Sequence, residues 1–441
     1  MSRYDAASGG ARRVGPPAWI LLDTEAVIAD RRNATTASSC TSTGAAIQVT
    51  FFAADPPRDS SFCVHCDDLL QGYSPSSILY SHGDVALLRV ALWRQTTDYF
   101  LYRAGRQPSL RLLGDIHGSP DSPLSSSRIK PSNGEALVGI LPLAGDGDHF
   151  LLACLKSFCL YEEEGLYELH VFRSDRDAWT STPVRLGREV SLDPLTKVIA
   201  LGGGELGWVN LRKGILVCDV LGETPKPRAI PLPKLLPTNR FYLWRQQERC
   251  WPREYRDVVV CADGSIRCVE LEHQLSRALA EMPDVSSSDV LHDTDLPMET
   301  YSDHGRVAPV LYKYLGWRVI VWRRTASSTC WHKERLVHVN DIVANDPGHT
   351  NLLREMLGGE DGDLVKVSGE MNVPCLSIDG DGDVVYIMSK VNDTDTKTWV
   401  VAVDMGRKTL LKVVPVSVEQ RCSLVKSDYL SCGLSSYMET D

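Results

Sequence analysis

Short apolar runs alternate with polar positions along most of the chain, and Gly, Asp, Asn and Pro separate the runs. This period of two is typical of half-buried β-strands, whereas an amphipathic helix repeats about every 3.6 residues. Six segments share one outline, a strand followed by a polar turn and usually by a second strand. They begin at Asp98, Leu166, Gly214, Gly264, Trp317 and Trp399. The pattern predicts an all-β, mostly antiparallel fold.

The spacing of the segments favours a closed repeat. The three consecutive intervals from Leu166 to Trp317 are each about 50 residues, which is roughly the repeat of kelch-type propeller blades. Blades that close radially protect their edge strands from pairing with other chains. We therefore predict a β-propeller-like fold with blades of about 50 residues, and a pair of β-sandwich domains is the alternative. We also expect a few short helices, of which Leu271 to Met282 and Asn351 to Leu357 are candidates.

Three segments lack the apolar residues needed to offset the entropy of ordering them. Residues 1–17 are polar and Gly-rich, and we expect a disordered N-terminal tail. Residues 119–134 are Ser/Pro-rich and residues 283–308 are acidic, so both are expected to be long surface loops. The expected organisation is a single propeller-like domain over residues 18–435, followed by a short tail at 436–441.

Composition and charge exclude several classes of protein. Hydrophobic residues make up 43% and charged residues 24%, which is ordinary globular composition. The net charge is −10 and no basic stripe is present, which argues against nucleic acid or an anionic membrane as the main partner. The chain has neither an apolar signal region nor a run long enough to span a membrane. A soluble cytoplasmic or nuclear protein is expected, with its 13 cysteines as thiols.

The run from Gly202 to Gly207 has the spacing G-x-G-x-x-G of a dinucleotide-binding loop, and Asp219 ends the next strand-like run. That loop needs a following helix, whose N-terminus binds the pyrophosphate. Only Trp208 to Lys213 separate Gly207 from the next strand, which is too short for the helix and a parallel crossover. The run is therefore interpreted as a hairpin turn between antiparallel strands.

A CxxC sequence spans Cys63 to Cys66 and includes His65, but no second CxxC is present to complete a zinc site. On a strand Cys63 and His65 share one face while Cys66 points away, so buried thiols are favoured over a metal or redox site. The run from Asp379 to Asp383 resembles the start of a calcium loop but lacks its later ligands, and a hairpin turn is favoured.

Two further runs, at 146–148 and 361–363, have the same Asp-Gly-Asp turn chemistry. His82, His149 and His304 each lie beside Gly or Asp, which indicates turns rather than a general base with its orienting partner. Neither a nucleophile elbow nor a phosphate-binding loop is present. We therefore assign no catalytic, cofactor-binding or metal-binding residue, and we expect no cofactor.

The segment from Leu201 to Pro233 closely resembles the signature of a plant family, abundant in grasses, known as domain of unknown function 1618. Other matching pieces follow the order of the family and begin at Pro16, Asp98, Glu168, Arg256, Leu376 and Trp399. The chain departs from the family at Asn210, where Asp is common, and at Arg212, near which an aromatic residue is common. The resemblance implies a plant intracellular protein related in architecture to the propeller halves of F-box proteins, although no F-box is visible.

The leading hypothesis is a non-enzymatic protein–protein interaction module that acts as a monomer on protein partners. One alternative is a hydrolase built on a propeller, with carboxylates at the central funnel. Another is a substrate-recognition subunit of a ubiquitin ligase that lacks its own F-box. Trp208 is predicted to be buried at a junction between blades.

Overall fold

The structure is a computed structural model. It describes residues 15–69, 76–93, 97–113, 137–143, 149–157, 166–185, 195–222, 225–240, 252–277, 312–325, 328–345, 364–365, 372–379, 383–390, 398–416 and 429–439. Strands dominate these ranges and form six sheets, each of which is one blade of a propeller. The all-β propeller fold predicted from the sequence is therefore confirmed.

The first blade contains β1 (Ile20–Asp23), β2 (Val27–Ile28), β3 (Ala37–Cys40), β4 (Ala46–Phe52) and β5 (Asp59–His65). The second contains β6 (Ser77–His82), β7 (Val85–Ala91), β8 (Thr97–Arg103) and β9 (Ser109–Leu112). The third contains β10 (Val138–Pro142), β11 (Phe150–Ser157), β12 (Leu166–Arg173) and β13 (Ala178–Arg185). The fourth contains β14 (Lys197–Gly202), β15 (Glu205–Asn210), β16 (Gly214–Asp219) and β17 (Arg228–Pro231).

The fifth blade contains β18 (Arg256–Val260), β19 (Ile266–Arg277), β20 (Tyr312–Arg324), β21 (His332–His338) and β22 (Leu364–Val365). The sixth contains β23 (Asn372–Leu376), β24 (Val384–Lys390), β25 (Thr398–Asp404) and β26 (Thr409–Val416). The last strand is β27 (Tyr429–Cys432). A short helix, α1 (Val339–Asn345), follows β21, and 3₁₀ turns occur at Pro252–Glu254 and Leu434–Tyr437.

The blades are arranged in a ring around their innermost strands. The contacts run from β6 to β10, β14, β18, β23 and β27 in turn. Apolar clusters fill the space between neighbouring blades all the way around. Successive side chains of a strand point to opposite faces of the sheet, so each blade packs against both of its neighbours. On β19, Cys268 packs towards the fourth blade, while Val269 and Leu271 pack towards the sixth.

The ring closes within the first blade, where two distant parts of the chain pair. β27 lies at the inner edge of this sheet and pairs antiparallel with β1, Ile20 lying opposite Cys432. The next junction is fixed by backbone hydrogen bonds, because Ala26 N donates to Ser76 O and Ile78 N donates to Thr24 O. A closed ring has no sheet edge at the join that could pair with another chain.

The inner strands begin on one face of the ring, which we call the entry face. Residues at the start of neighbouring inner strands meet there: Lys197, the first residue of β14, is paired with Asp257, the second residue of β18. The ends of inner strands meet on the opposite face, where Ala262 N donates to Ile378 O. The inner strands of neighbouring blades therefore begin side by side on the entry face.

The predicted segments coincide with strand pairs, with one difference in their grouping. Those beginning at Asp98, Leu166, Gly214 and Trp399 are the outer hairpins of four different blades. The segments beginning at Gly264 and Trp317 share the fifth blade, because β19 pairs directly with β20. Residues 278–311, most of which form the predicted acidic loop, separate these two strands in the chain and lie outside the described ranges.

The helix predicted from Leu271 to Met282 is wrong over residues 271–277, which continue β19. Its apolar spacing fits a helix, but the backbone of β19 pairs with β20 along this length, and tertiary pairing overrides local propensity. The predicted helix from Asn351 to Leu357 and the predicted loop at 119–134 lie outside the described residues. None of the helices in the described ranges has the length and apolar composition that a membrane span needs.

Candidate interaction face

Two strands of the fifth blade extend past the others on the entry face. β19 and β20 have 12 and 13 residues. The inner strand β18 pairs with β19 only as far as Glu270, and the outer strand β21 pairs with β20 only from Arg318 onward. Residues 271–277 and 312–317 therefore continue as a two-stranded arm, whose far end also pairs with β22.

The base of the arm is held by the carboxylate of Glu270, which is fully buried. Its Oε2 accepts a hydrogen bond of 2.5 Å from Nη2 of Arg256, which is also fully buried. Its Oε1 accepts hydrogen bonds from the backbone N of Leu236 at 2.8 Å and from Nδ2 of Asn239 at 2.9 Å. Arg256 also donates to the carbonyl oxygen of Pro233 at 3.0 Å, so this ion pair fixes the loop that enters the fifth blade.

A second carboxylate, Glu272, repeats the arrangement one step further along the arm. Its Oε1 accepts from the backbone N of Thr238 at 2.8 Å, and its Oε2 accepts from Nε of Arg318 at 2.5 Å. Glu272 and Arg318 are directly opposite in the register of β19 and β20. The pair therefore crosses the arm and joins it to the same loop.

A third ion pair links two blades. Nζ of Lys197 lies 2.6 Å from Oδ1 of Asp257, and both residues are buried. Because they belong to β14 and β18, the pair joins the inner strands of the fourth and fifth blades. Nearby, Nη2 of Arg253 donates to the carbonyl oxygen of Thr196 at 3.3 Å.

We call these three pairs the clamp: Arg256–Glu270, Arg318–Glu272 and Lys197–Asp257. Each carboxylate is bonded to a cation, and two of them also accept backbone N–H groups. Such geometry holds chain segments in fixed positions, because buried charges are tolerated only when they are paired and hydrogen-bonded. The chemical role that the clamp supports is the positioning of the arm and of the 233–240 loop on the entry face.

One titratable group at the base of the arm gives a pH-dependence prediction. Burial lowers the pKa of His273 to about 4. The imidazole is then neutral in the folded protein but protonates below pH about 6.5 in the unfolded chain. This group therefore leaves the free energy of unfolding unchanged above pH about 6.5 and lowers it as the pH falls towards 4.

The measurement is urea unfolding of wild type and His273→Gln across that pH window. The variant is expected to lose less stability between pH about 6.5 and 4, because it removes the group that the unfolded chain protonates. Two curves that stay parallel over the window would contradict the prediction.

The Gly-rich run identified in the sequence is a hairpin, as predicted. β14 and β15 pair antiparallel around it, and Gly203 and Gly204 adopt positive φ at the turn. Gly207 is needed for a different reason, since a Cβ there would lie 2.8 Å from Cγ2 of Ile215. Oδ1 of Asp219 accepts the backbone N–H groups of Leu221 and Gly222, which makes it a turn residue rather than a ribose ligand.

The other sequence candidates lie on separate elements. Cys63 is buried on β5 and Cys66 is buried just after it, and desolvation raises the pKa of both thiols. Within the described ranges, no three His, Cys, Asp or Glu side chains are grouped so that they could hold a metal ion. The run from Asp379 to Asp383 connects the antiparallel strands β23 and β24, as a hairpin requires.

His82 is the last residue of β6, directly before the turn at Gly83 and Asp84, and His149 precedes β11. His304 and the Asp-Gly-Asp runs at 146–148 and 361–363 lie outside the described residues. Trp208 is fully buried at the junction of the third and fourth blades, as predicted, and its Nε1 donates to the carbonyl oxygen of Leu137 at 3.1 Å.

The two positions that depart from the family pattern belong to one turn. Oδ1 of Asn210 accepts the backbone N–H groups of Arg212 and Lys213 at 2.8 and 3.1 Å. An aspartate would accept the same two bonds, so the exchange of Asp for Asn at Asn210 preserves the turn.

Sheet topology and the ring of blades define the protein as a β-propeller with a clamped arm on one face. Residues 208–386 match the model of the family described as "Protein of unknown function (DUF1618)". Over these residues the match supports the family predicted from the sequence. No match was found among curated proteins.

Comparison with solved structures returns other proteins at low identity. The WD40 domain of SCAP from fission yeast is 11% identical, with 94% of this chain and 88% of that chain covered and a TM-score of 0.30. Sqt1 of Saccharomyces cerevisiae is 9% identical, with 92% of this chain and 90% of that chain covered and a TM-score of 0.33. The description of the fold rests on the strand pairing itself.

Proposed function

We propose that this protein is a non-enzymatic protein–protein interaction module that binds its partner through the entry face. The observation that carries the proposal is the arm, whose strands continue beyond their neighbours and whose base is fixed by the clamp. Loops and extensions placed on a rigid scaffold are the usual position of binding residues. A fixed base lowers the conformational entropy that binding would otherwise cost.

The pairing of the clamp carboxylates favours this function over a hydrolase. Glu270, Glu272 and Asp257 do converge on the entry face, but each is bonded to a basic side chain. A general acid or base must exchange a proton with the substrate. In a glycoside hydrolase, the two catalytic carboxylates are spaced so that the substrate fits between them. The geometry of these three residues suits anchoring instead.

We also propose a cytoplasmic or nuclear location and action as a monomer. The ten cysteines in the described ranges all have free thiols, as is typical of a reducing compartment. The negative net charge supports protein partners over nucleic acid.

The test removes the far part of the arm together with residues 278–311, which connect its two strands in the chain, and leaves the blades in place. In the variant, an Asn-Gly turn replaces residues 275–314, so that β19 and β20 keep their pairing within the blade. Tagged wild type, the arm variant and the control Leu221→Ser are each used to isolate partners from the native tissue, with quantitative mass spectrometry as the readout. Leu221 is exposed on the opposite face of the propeller. Its replacement therefore changes the protein surface at a position away from the arm.

Partners that are stoichiometric with wild type and Leu221→Ser, and lost from the arm variant at an unchanged melting temperature, are the expected result. Partners retained by the arm variant would overturn the assignment to this face. Turnover of a defined substrate, abolished by a single substitution in the clamp, would overturn the non-enzymatic function.

A further inference from the structure

A thiol and an imidazole lie together at the outer edge of the fifth blade, away from the clamp. Sγ of Cys330 lies 3.6 Å from Nε2 of His332, at the start of β21. Oγ of Ser328 lies 3.5 Å from the same sulfur. Cys330 and His332 are both exposed, so a small molecule in solution reaches the sulfur directly.

Basic groups flank this pair on two further strands. Nη1 of Arg324, on β20, donates to the carbonyl oxygen of Thr329 at 2.7 Å and so lies beside the residue that precedes Cys330. Burial lowers the pKa of Arg324, the positive charge of Arg228 on β17 lowers it further, and Cys330 opposes the shift. Arg228 is itself bonded to Glu205 through two hydrogen bonds of 3.2 and 2.6 Å. We call Cys330, His332 and Arg324 the thiol patch.

The buried cysteines differ in their chemistry. Desolvation raises the pKa of Cys218 to about 12 and that of Cys432 to about 11, which suppresses their thiolate forms. In the described ranges only Cys40 and Cys330 are exposed. Cys40, at the end of β3, has no side-chain hydrogen bond or ion pair to any described residue. The chain therefore contains an exposed thiol with basic neighbours and an exposed thiol that serves as its comparison.

We propose that Cys330 is a site of reversible S-thiolation by low-molecular-weight disulfides that carry carboxylates. The thiolate is the nucleophile in thiol–disulfide exchange, and Nε2 of His332 lies close enough to Sγ of Cys330 to accept the thiol proton. Guanidinium groups also bind carboxylates through charge-assisted hydrogen bonds, so the patch selects an anionic reagent.

The reaction balances without a further oxidant. Nε2 of His332 accepts the proton of the Cys330 thiol, and Sγ attacks one sulfur of the disulfide. A new S–S bond forms as the original one breaks, and the departing thiolate takes the proton from His332. Cys330 is oxidised to a mixed disulfide while the reagent is reduced to one free thiol, and the reverse exchange with a thiol restores Cys330.

The experiment uses the full chain and two probes of opposite charge. Oxidised glutathione supplies carboxylates and cystamine supplies amines, and modification of each cysteine is followed over time by mass spectrometry of peptides. Cys330 is expected to react with oxidised glutathione about ten times faster than Cys40 does. The ratio of the rate with oxidised glutathione to the rate with cystamine is also expected to be higher at Cys330 than at Cys40.

Matched variants separate the contributions of the patch. Arg324→Gln is expected to remove the preference for the anionic probe, whereas Arg324→Lys keeps the charge and most of the preference. His332→Ala is expected to slow modification by both probes, and Cys40→Ser leaves the rate at Cys330 unchanged. Equal rates at Cys330 and Cys40, or a ratio of probe rates that is the same at both sites, would overturn the proposal. Unchanged melting temperatures ensure that the comparison is made on folded protein.

Discussion

Replacement of Trp208 by alanine is expected to lower the free energy of unfolding by about 3–5 kcal/mol, which is the usual cost of removing a fully buried aromatic ring from a core. The ring lies between the third and fourth blades among Val198, Leu206 and Leu216, and none of its surface is exposed. The substitution leaves a cavity there and also removes the donor to the carbonyl of Leu137. Urea unfolding followed by circular dichroism measures the change.

Two controls give the result its meaning. Trp208→Phe keeps a ring in the junction and loses only the hydrogen bond and part of the volume, so its cost should be clearly smaller than that of alanine. Trp93 is 66% exposed, and Trp93→Ala is expected to change stability by less than about 0.5 kcal/mol. If Trp208→Ala unfolded at the same urea concentration as wild type, the packing of this junction would have to be revised.

The second large effect is expected at the clamp. Glu270→Ala leaves the buried guanidinium of Arg256 without its counter-charge, and it also leaves Leu236 N and Asn239 Nδ2 without their acceptor. Removing one partner of a buried ion pair costs about 3–5 kcal/mol. The expected result is a loss of this size in the free energy of unfolding, measured as above.

A double substitution tests whether unpaired charge is the cause. Arg256→Met combined with Glu270→Leu removes both charges, and it should cost less than the sum of the two single replacements. The exposed pair Arg228–Glu205 is the matched control, with side chains 49% and 32% exposed, and Glu205→Gln should cost no more than about 1 kcal/mol. A Glu270→Ala protein as stable as Glu205→Gln would show that the clamp does not anchor the blade.

Local patterns in the sequence predict the strands well because the alternation of apolar and polar residues along a strand follows which of its side chains are buried. The hairpins beginning at Leu166 and Gly214 are recognisable from alternation and turn residues alone, and the structure pairs them as predicted. The grouping of strands into blades is not local information. Gly264 and Trp317 start about one repeat apart, yet they belong to one blade, since a long insertion imitates the repeat length.

The clamp was not predicted, and the reason is physical. Glu270 and Glu272 alternate with Val269 and Leu271, which is the pattern of a strand with one solvated face. Their partners Arg256 and Arg318 lie on other strands, and Lys197 and Asp257 belong to different blades. Only the three-dimensional register reveals that these acidic side chains are buried. Cys330 and His332 are separated in sequence by one residue, Trp331, but their exposure and the nearby Arg324 are visible only in the structure.

The join between β1 and β27 has a consequence for how the protein is made. A ribosome delivers Ile20 long before Cys432, so the first blade emerges without its innermost strand and waits for it while the other five blades are synthesised. During that interval the inner edge of β1 is unpaired and can pair with a strand of another chain, so it is a site where chaperone binding would prevent aggregation. Mutations or truncations near residue 429 should therefore lower the yield of newly folded protein more than they lower the stability of the closed propeller.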